Sequence, residues 1–155
     1  MKNWLVIGAC TLAIACGEST RQDTARKNGF TAPELKTKED SLYHEIMDGH
    51  DVGMAKMSKL GKATKGVTDA LDSIARIPAK KADTTYRNAL TDLQKKLSYA
   101  EYGMDTWMKE FNPDSAKDNN ELRLQYLESE RDKVNMVKKN ILESLQLADS
   151  LLKKQ

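Results

Sequence analysis

Cysteine is nearly missing from this chain: its 155 residues hold two, and both fall within the first 16. From residue 17 onward there is no disulfide, no cysteine-based zinc site and no thiol nucleophile, so stability has to come from packing alone. Histidine is equally scarce, with two. His44 and His50 stand about 120° apart round a helix, so "HEIMDGH" lacks the i, i+4 histidine pair of a zinc protease. Neither histidine has a serine or cysteine setting, which argues against a catalytic triad. "DGHDVG" offers Asp48 and Asp51 but not the ligand spacing or terminal glutamate of a calcium loop. No phosphate loop and no Gly-x-Ser-x-Gly elbow occurs. The remaining carboxylates sit among lysines, which leaves no candidate for paired acid–base work. The expectation is that this is not an enzyme.

Charge of one sign is lacking as well. Lys and Arg number 25 against 23 Asp and Glu, for a formal net charge of +2. A nucleic-acid binder gathers a basic surplus on one face, whereas here both signs are interspersed as on solvated helix faces. Nucleic acid is therefore not an expected partner. The N-terminal apolar run, Trp4 to Ala15, is too short to cross a bilayer as a helix.

That run follows Lys2, a positive n-region, and reads as a secretory signal. It closes in small residues before a cysteine, "LAIAC", which resembles the lipobox of bacterial lipoproteins. Ala13 stands where leucine is usual, with Leu12 beside it. The rival "VIGAC", ending at Cys10, fits the box better but leaves an h-region of only about six residues. By the preferred resemblance residues 1–15 are a lipoprotein signal peptide, and Cys16 becomes the first mature residue and carries the lipid. A soluble secreted chain and an uncleaved anchor are the alternatives. Residues 16–39 then form the lipidated cysteine and a flexible tether, polar throughout and carrying Gly29 and Pro33.

Residues 40–155 carry three helical patterns, at about 40–76, 83–111 and 118–153. The middle one is the most regular: Tyr86, Leu90, Leu93, Leu97, Ala100, Met104, Trp107 and Phe111 alternate by four and three. The last runs Leu124, Leu127, Arg131, Val134, Lys138, Ile141, Leu145, Ala148 and Leu152, with two basic residues interrupting the stripe. The first runs Tyr43, Met47, His50, Met54, Met57, Gly61, Thr64, Thr68, Leu71 and Ala75. Its four glycines, at 49, 53, 61 and 66, leave open whether it is one helix or two. Caps are expected at Asp40 or Ser41, at Asp83, and at Asp114 or Asp118. Short connections through Pro78 and Pro113 make neighbours antiparallel. The fold class is all-α: an up-down-up three-helix bundle with coiled-coil-like packing.

"GHDVGMAKM" raises the sharpest chemical question. Folding the first hairpin places Met57 opposite Met104, Met54 opposite Trp107, and His50 near Phe111. His50, Met54 and Met57, with Met104 or Met108, are thioether and imidazole ligands suited to copper(I). Packing explains the same residues more simply. Methionine fills irregular cores and its sulfur sits well against aromatic rings, which makes Met47, Trp107 and Phe111 a packing or interaction cluster. No cofactor is expected; copper(I) is the alternative.

The stretches "IMDGHDVGMAKM" and "YAEYGMDTWMKEF", with the lipobox, the tether and a lysine-rich last helix, resemble a group of small lipoproteins from Bacteroidota-type bacteria labelled after a viral A-type inclusion protein. His50, Met54, Met57, Met104, Trp107, Met108 and Phe111 carry the resemblance, over residues 40 to 152. It implies a helical fold and an envelope location, and no catalytic residues. The expected function is a lipid-anchored envelope protein, in the outer membrane at its periplasmic face or on the cell surface. It would act by binding an envelope protein or itself. A copper(I)-binding protein is the first alternative, and a carrier of a small apolar ligand held near Trp107 the second.

Overall fold

A computed structural model of the chain describes residues 35–78 and 83–153, which form three helices: α1, Lys38–Ala75; α2, Thr84–Glu110; and α3, Asn120–Leu152. No strand occurs among the described residues. Cys16 and the greater part of the proposed tether lie outside them. The fold is an all-α three-helix bundle, as the three periodic patterns require.

Each helix starts on a side-chain cap. Thr37 Oγ1 accepts from Asp40 N at 3.0 Å, and the Asp40 carboxylate accepts from Thr37 N at 3.1 Å, a reciprocal capping box. Asp40 is thus the acidic half of a box and not the cap, and α1 reaches back into residues expected to be tether. Asp83 caps α2 as expected, accepting from Tyr86 N at 3.0 Å. Asn119 caps α3, accepting from Leu122 N at 3.1 Å, in place of Asp114 or Asp118. The reason is the turn over 113–118, in which Ala116 adopts a left-handed φ of 58° and delays the helix.

Pairs along α1 and α2 fix their antiparallel register: Tyr43 with Phe111 and His50 with Trp107 near one end, Gln94 with Thr68 toward the other. α3 runs parallel to α1, with Arg123 bonded to Glu39 and Lys59 to Asp149.

The expected stripe of α2 is the buried one: Leu90, Leu93, Leu97, Ala100, Met104 and Trp107 are buried, with Tyr86 and Phe111 half-buried at its ends. α1 corrects the expectation by one position. Its buried residues are Leu42, Ile46, Gly49, Gly53, Leu60, Ala63, Val67 and Ala70, while Tyr43 and Met54 are exposed. A helix packed against two neighbours turns the centre of its stripe between them, and there the aliphatic residues outcompete methionine and histidine for burial. α3 keeps its expected line, with Leu127, Val134, Ile141, Leu145 and Ala148 buried, and departs from it only at polar positions. Arg123 and Glu130 are buried, whereas Arg131 and Lys138 stay at the boundary, bonded to Asp132 and Asn135.

α1 is one continuous helix of 38 residues through Gly49 and Gly53. Both glycines lie where neighbours come closest. A Cβ at Gly53 would overlap Met104 Cε, and one at Gly49 would sit 3.0 Å from Val134 Cγ1. The methyl of Met104 takes the space that Gly53 leaves.

Candidate functional site

The α2–α3 end of the bundle is aromatic. Trp107 stacks on Phe111 at 4.9 Å between ring centroids, and Phe111 stacks on Tyr126 at 6.4 Å. Tyr43 approaches Phe111 at 6.3 Å and His50 approaches Trp107 at 5.7 Å, both tilted. The i, i+4 spacing of Trp107 and Phe111 puts both rings on one face of α2's last turn, over the start of α3. Tyr126 hydroxyl accepts from Asn112 N at 2.8 Å and fixes the chain as it leaves α2. Phe111, expected to meet His50, meets Tyr43 and Tyr126 instead, and Trp107 receives the imidazole.

Two charges are buried beneath this layer. Glu130 accepts from the Trp107 indole Nε1 at 3.0 Å and from Lys133 Nζ at 2.8 Å. Its carboxylate, through the hydrogen bond first, holds the Lys133 ammonium above its ordinary value, against the opposing effect of burial. Arg123 donates through Nε to Glu39 at 2.9 Å and through Nη1 to the Ser115 carbonyl at 2.9 Å, tying α3 both to the start of α1 and to the turn before it. Among the described residues no buried side-chain nitrogen or oxygen lacks a partner, so both charges are compensated structural elements.

The five residues considered for copper(I) divide three ways. Met54, Met57 and Met108 line one open groove of ≈ 460 Å³ between α1 and α2, together with Tyr102, Glu101 and Asp105. Met104 is fully buried under Gly53. His50 lies against Trp107 with Nδ1 2.9 Å from the Asp51 carboxylate. Met47 is half-buried. Among the described residues no three His, Cys, Asp or Glu side chains converge as a metal-holding group.

On the other side of α2 a second groove, of ≈ 330 Å³, runs between α2 and α3 and is lined by Tyr99, Tyr102, Trp107, Met136 and Val137. Tyr102 borders both grooves and Tyr99 the second; they are 65% and 64% exposed, and Met136 is 56% exposed. This is the most exposed cluster of large apolar side chains on α2, and the sequence reading passed over it. Its signal was present, since both tyrosines fall opposite the clean inner stripe of that helix. Glu130 was missed because Arg131, one position on, fitted the assumed stripe better. No described helix is long and apolar enough to cross a membrane. Set against models of known protein families, curated proteins and solved structures, the chain matches none.

Proposed function

We propose that this chain is a lipid-anchored protein of the bacterial cell envelope whose helical bundle acts without catalysis, by binding an envelope protein or a copy of itself. The sequence supports the anchor: a short apolar run behind Lys2 ends in "LAIAC", and the resemblance to small Bacteroidota-type lipoproteins points the same way. On this reading Cys16 carries the lipid and the protein belongs to the outer membrane, at its periplasmic face or on the surface. One observation carries the binding role. Tyr99 and Tyr102 stand largely exposed, one turn apart on α2, beside a groove holding Met136, and Tyr102 also borders the groove of Met54, Met57 and Met108. Single exposed apolar residues are ordinary, but a contiguous aromatic and methionine patch has the composition of a docking surface.

Envelope fractionation of cells producing Cys16→Ala tests the anchor. Wild type is expected in the membrane fraction with acyl chains on Cys16, and the variant released or unprocessed. A mature chain that begins after Cys16 and carries no lipid removes the anchor.

A second reading, a copper(I) site, is favoured by the grouping of Met54, Met57 and Met108 on one groove. Titration with copper(I) against a competing chelator tests it. A site shows a defined stoichiometry that Met54→Leu with Met57→Leu abolishes while the fold stays intact; the absence of saturable binding at micromolar copper(I) ends this reading.

A further inference from the structure

We infer that a second copy of this chain docks antiparallel along the outer face of α2, about a two-fold axis between Ala100 and Glu101. The inference rests on the binding role proposed above and narrows the partner to the chain itself. The face away from the core carries Asp92, Lys95, Tyr99, Tyr102, Thr106 and Lys109, spaced by three and four, the stripe one helix offers another. Every one of these but Thr106 is exposed.

The charges on this stripe choose the orientation. A parallel pair would set Asp92 against Asp92, Lys95 against Lys95 and Lys109 against Lys109, three like-charge contacts. The antiparallel pair sets Asp92 against Lys109 of the second copy, and symmetry repeats the contact. Lys95 then meets Thr106, beside Asp105, and Tyr99 meets Tyr102 at the centre. Asp92 and Lys109 are bonded only within their own helix, to Lys95 and to Asp105 respectively, so their outer sides are available to the second copy. The rings of the second copy also have space to enter: Tyr102 borders the groove of Met54, Met57 and Met108, and both tyrosines border the groove of Met136 and Val137.

The chain from Glu34 to Gln155 is one compact unit and contains the hydrophobic core of the described residues, so it serves for the measurement. Sedimentation over a concentration series is expected to show a reversible monomer–dimer equilibrium. Asp92→Lys should weaken it about tenfold, Asp92→Lys with Lys109→Asp should restore it, and Tyr99→Ser with Tyr102→Ser should weaken it by more. These side chains are exposed, and circular dichroism checks that each variant keeps its helix content. The unit contains no cysteine, so Tyr99→Cys mixed with Tyr102→Cys reports orientation. An antiparallel dimer gives the mixed disulfide, and a parallel one links each variant to itself. A bundle that stays monomeric to about 1 mM, a dimer indifferent to these substitutions, or self-linked products each overturn the proposal. Lipidation of Cys16 is read separately by fractionation, so a monomeric bundle on an intact anchor removes the second copy alone.

Discussion

Gly49 and Gly61 stand in one helix and should respond oppositely to the same substitution. Nothing lies within 4 Å of a Cβ placed at Gly61, so Gly61→Ala is expected to stabilise by about 1 kcal/mol through helix propensity, seen as a higher melting temperature. At Gly49 the added methyl meets Val134 Cγ1 at 3.0 Å, and Val134 is fully buried and stiff about χ1. Gly49→Ala should therefore lose that gain or destabilise. Glu130 poses a different residue-scale problem. Glu130→Ala leaves the indole N–H of Trp107 buried without an acceptor and should cost roughly 1–3 kcal/mol in urea unfolding. Glu130→Gln keeps an acceptor and should cost less. Met54→Leu, at an exposed position, and Met57→Leu, at a half-buried one, should each cost under about 1.5 kcal/mol.

The connection from α2 to α3 is the element that departs furthest from sequence expectation. Ala116 holds a left-handed φ of 58°, a region in which a Cβ costs about 1 kcal/mol. Ala116→Gly relieves that cost, partly offset by a more flexible unfolded chain, and is expected to be neutral or mildly stabilising; Ala116→Val, β-branched, should destabilise by about 1 kcal/mol or more. Comparing their urea midpoints checks the turn geometry. Arg123 clamps the same turn through the Ser115 carbonyl, so Arg123→Ala should loosen the turn and the start of α1 together. Hydrogen exchange at Ser41 and Arg123 amides, whose acceptors are the Thr37 and Asn119 carbonyls, would record it.

Ion pairs act at the scale of the whole bundle. Asp114, Glu128 and Asp149 are each held below the ordinary carboxylate value, first by a hydrogen bond from Lys117, Lys38 and Lys59 respectively, and Asp40 first by Thr37. A lowered folded-state value means stability that is present above the unfolded carboxylate pKa, near 4, and is lost as pH falls through the folded one. Lys133 is raised, so its contribution is full below about pH 10 and fades as pH rises through the folded value. Thermal melts should thus show a stability plateau between these limits. The acid-side loss should shrink in high salt, because these carboxylates are exposed. Reductant should leave melting unchanged, since the bundle has no cysteine.

The sequence by itself determined the helix number, the approximate ends and the inner stripe of α2. All three follow from local causes: spacing by three and four, capping side chains, and prolines between the patterns. α2 was legible because its apolar residues occupy one narrow line with polar residues on both sides. α3 was legible at its apolar positions, where Leu127, Val134, Ile141, Leu145 and Ala148 are buried, and not at its polar ones. α1 was not, since it has two plausible lines one position apart. Leu42, Ile46 and Leu60 compete there with Tyr43, Met47 and Met57, and on α3 Glu130 competes with Arg131. Only the tertiary structure decides between such lines, because the decision depends on where the two neighbouring helices stand. It chose the aliphatic residues for the centre and left Met54, Met57 and Met108 round an open groove. The buried pairing of Glu130 with Trp107 likewise depends on how α3 stands against α2, which no single helix contains, whereas the exposure of Tyr99 and Tyr102 follows from α2's own stripe.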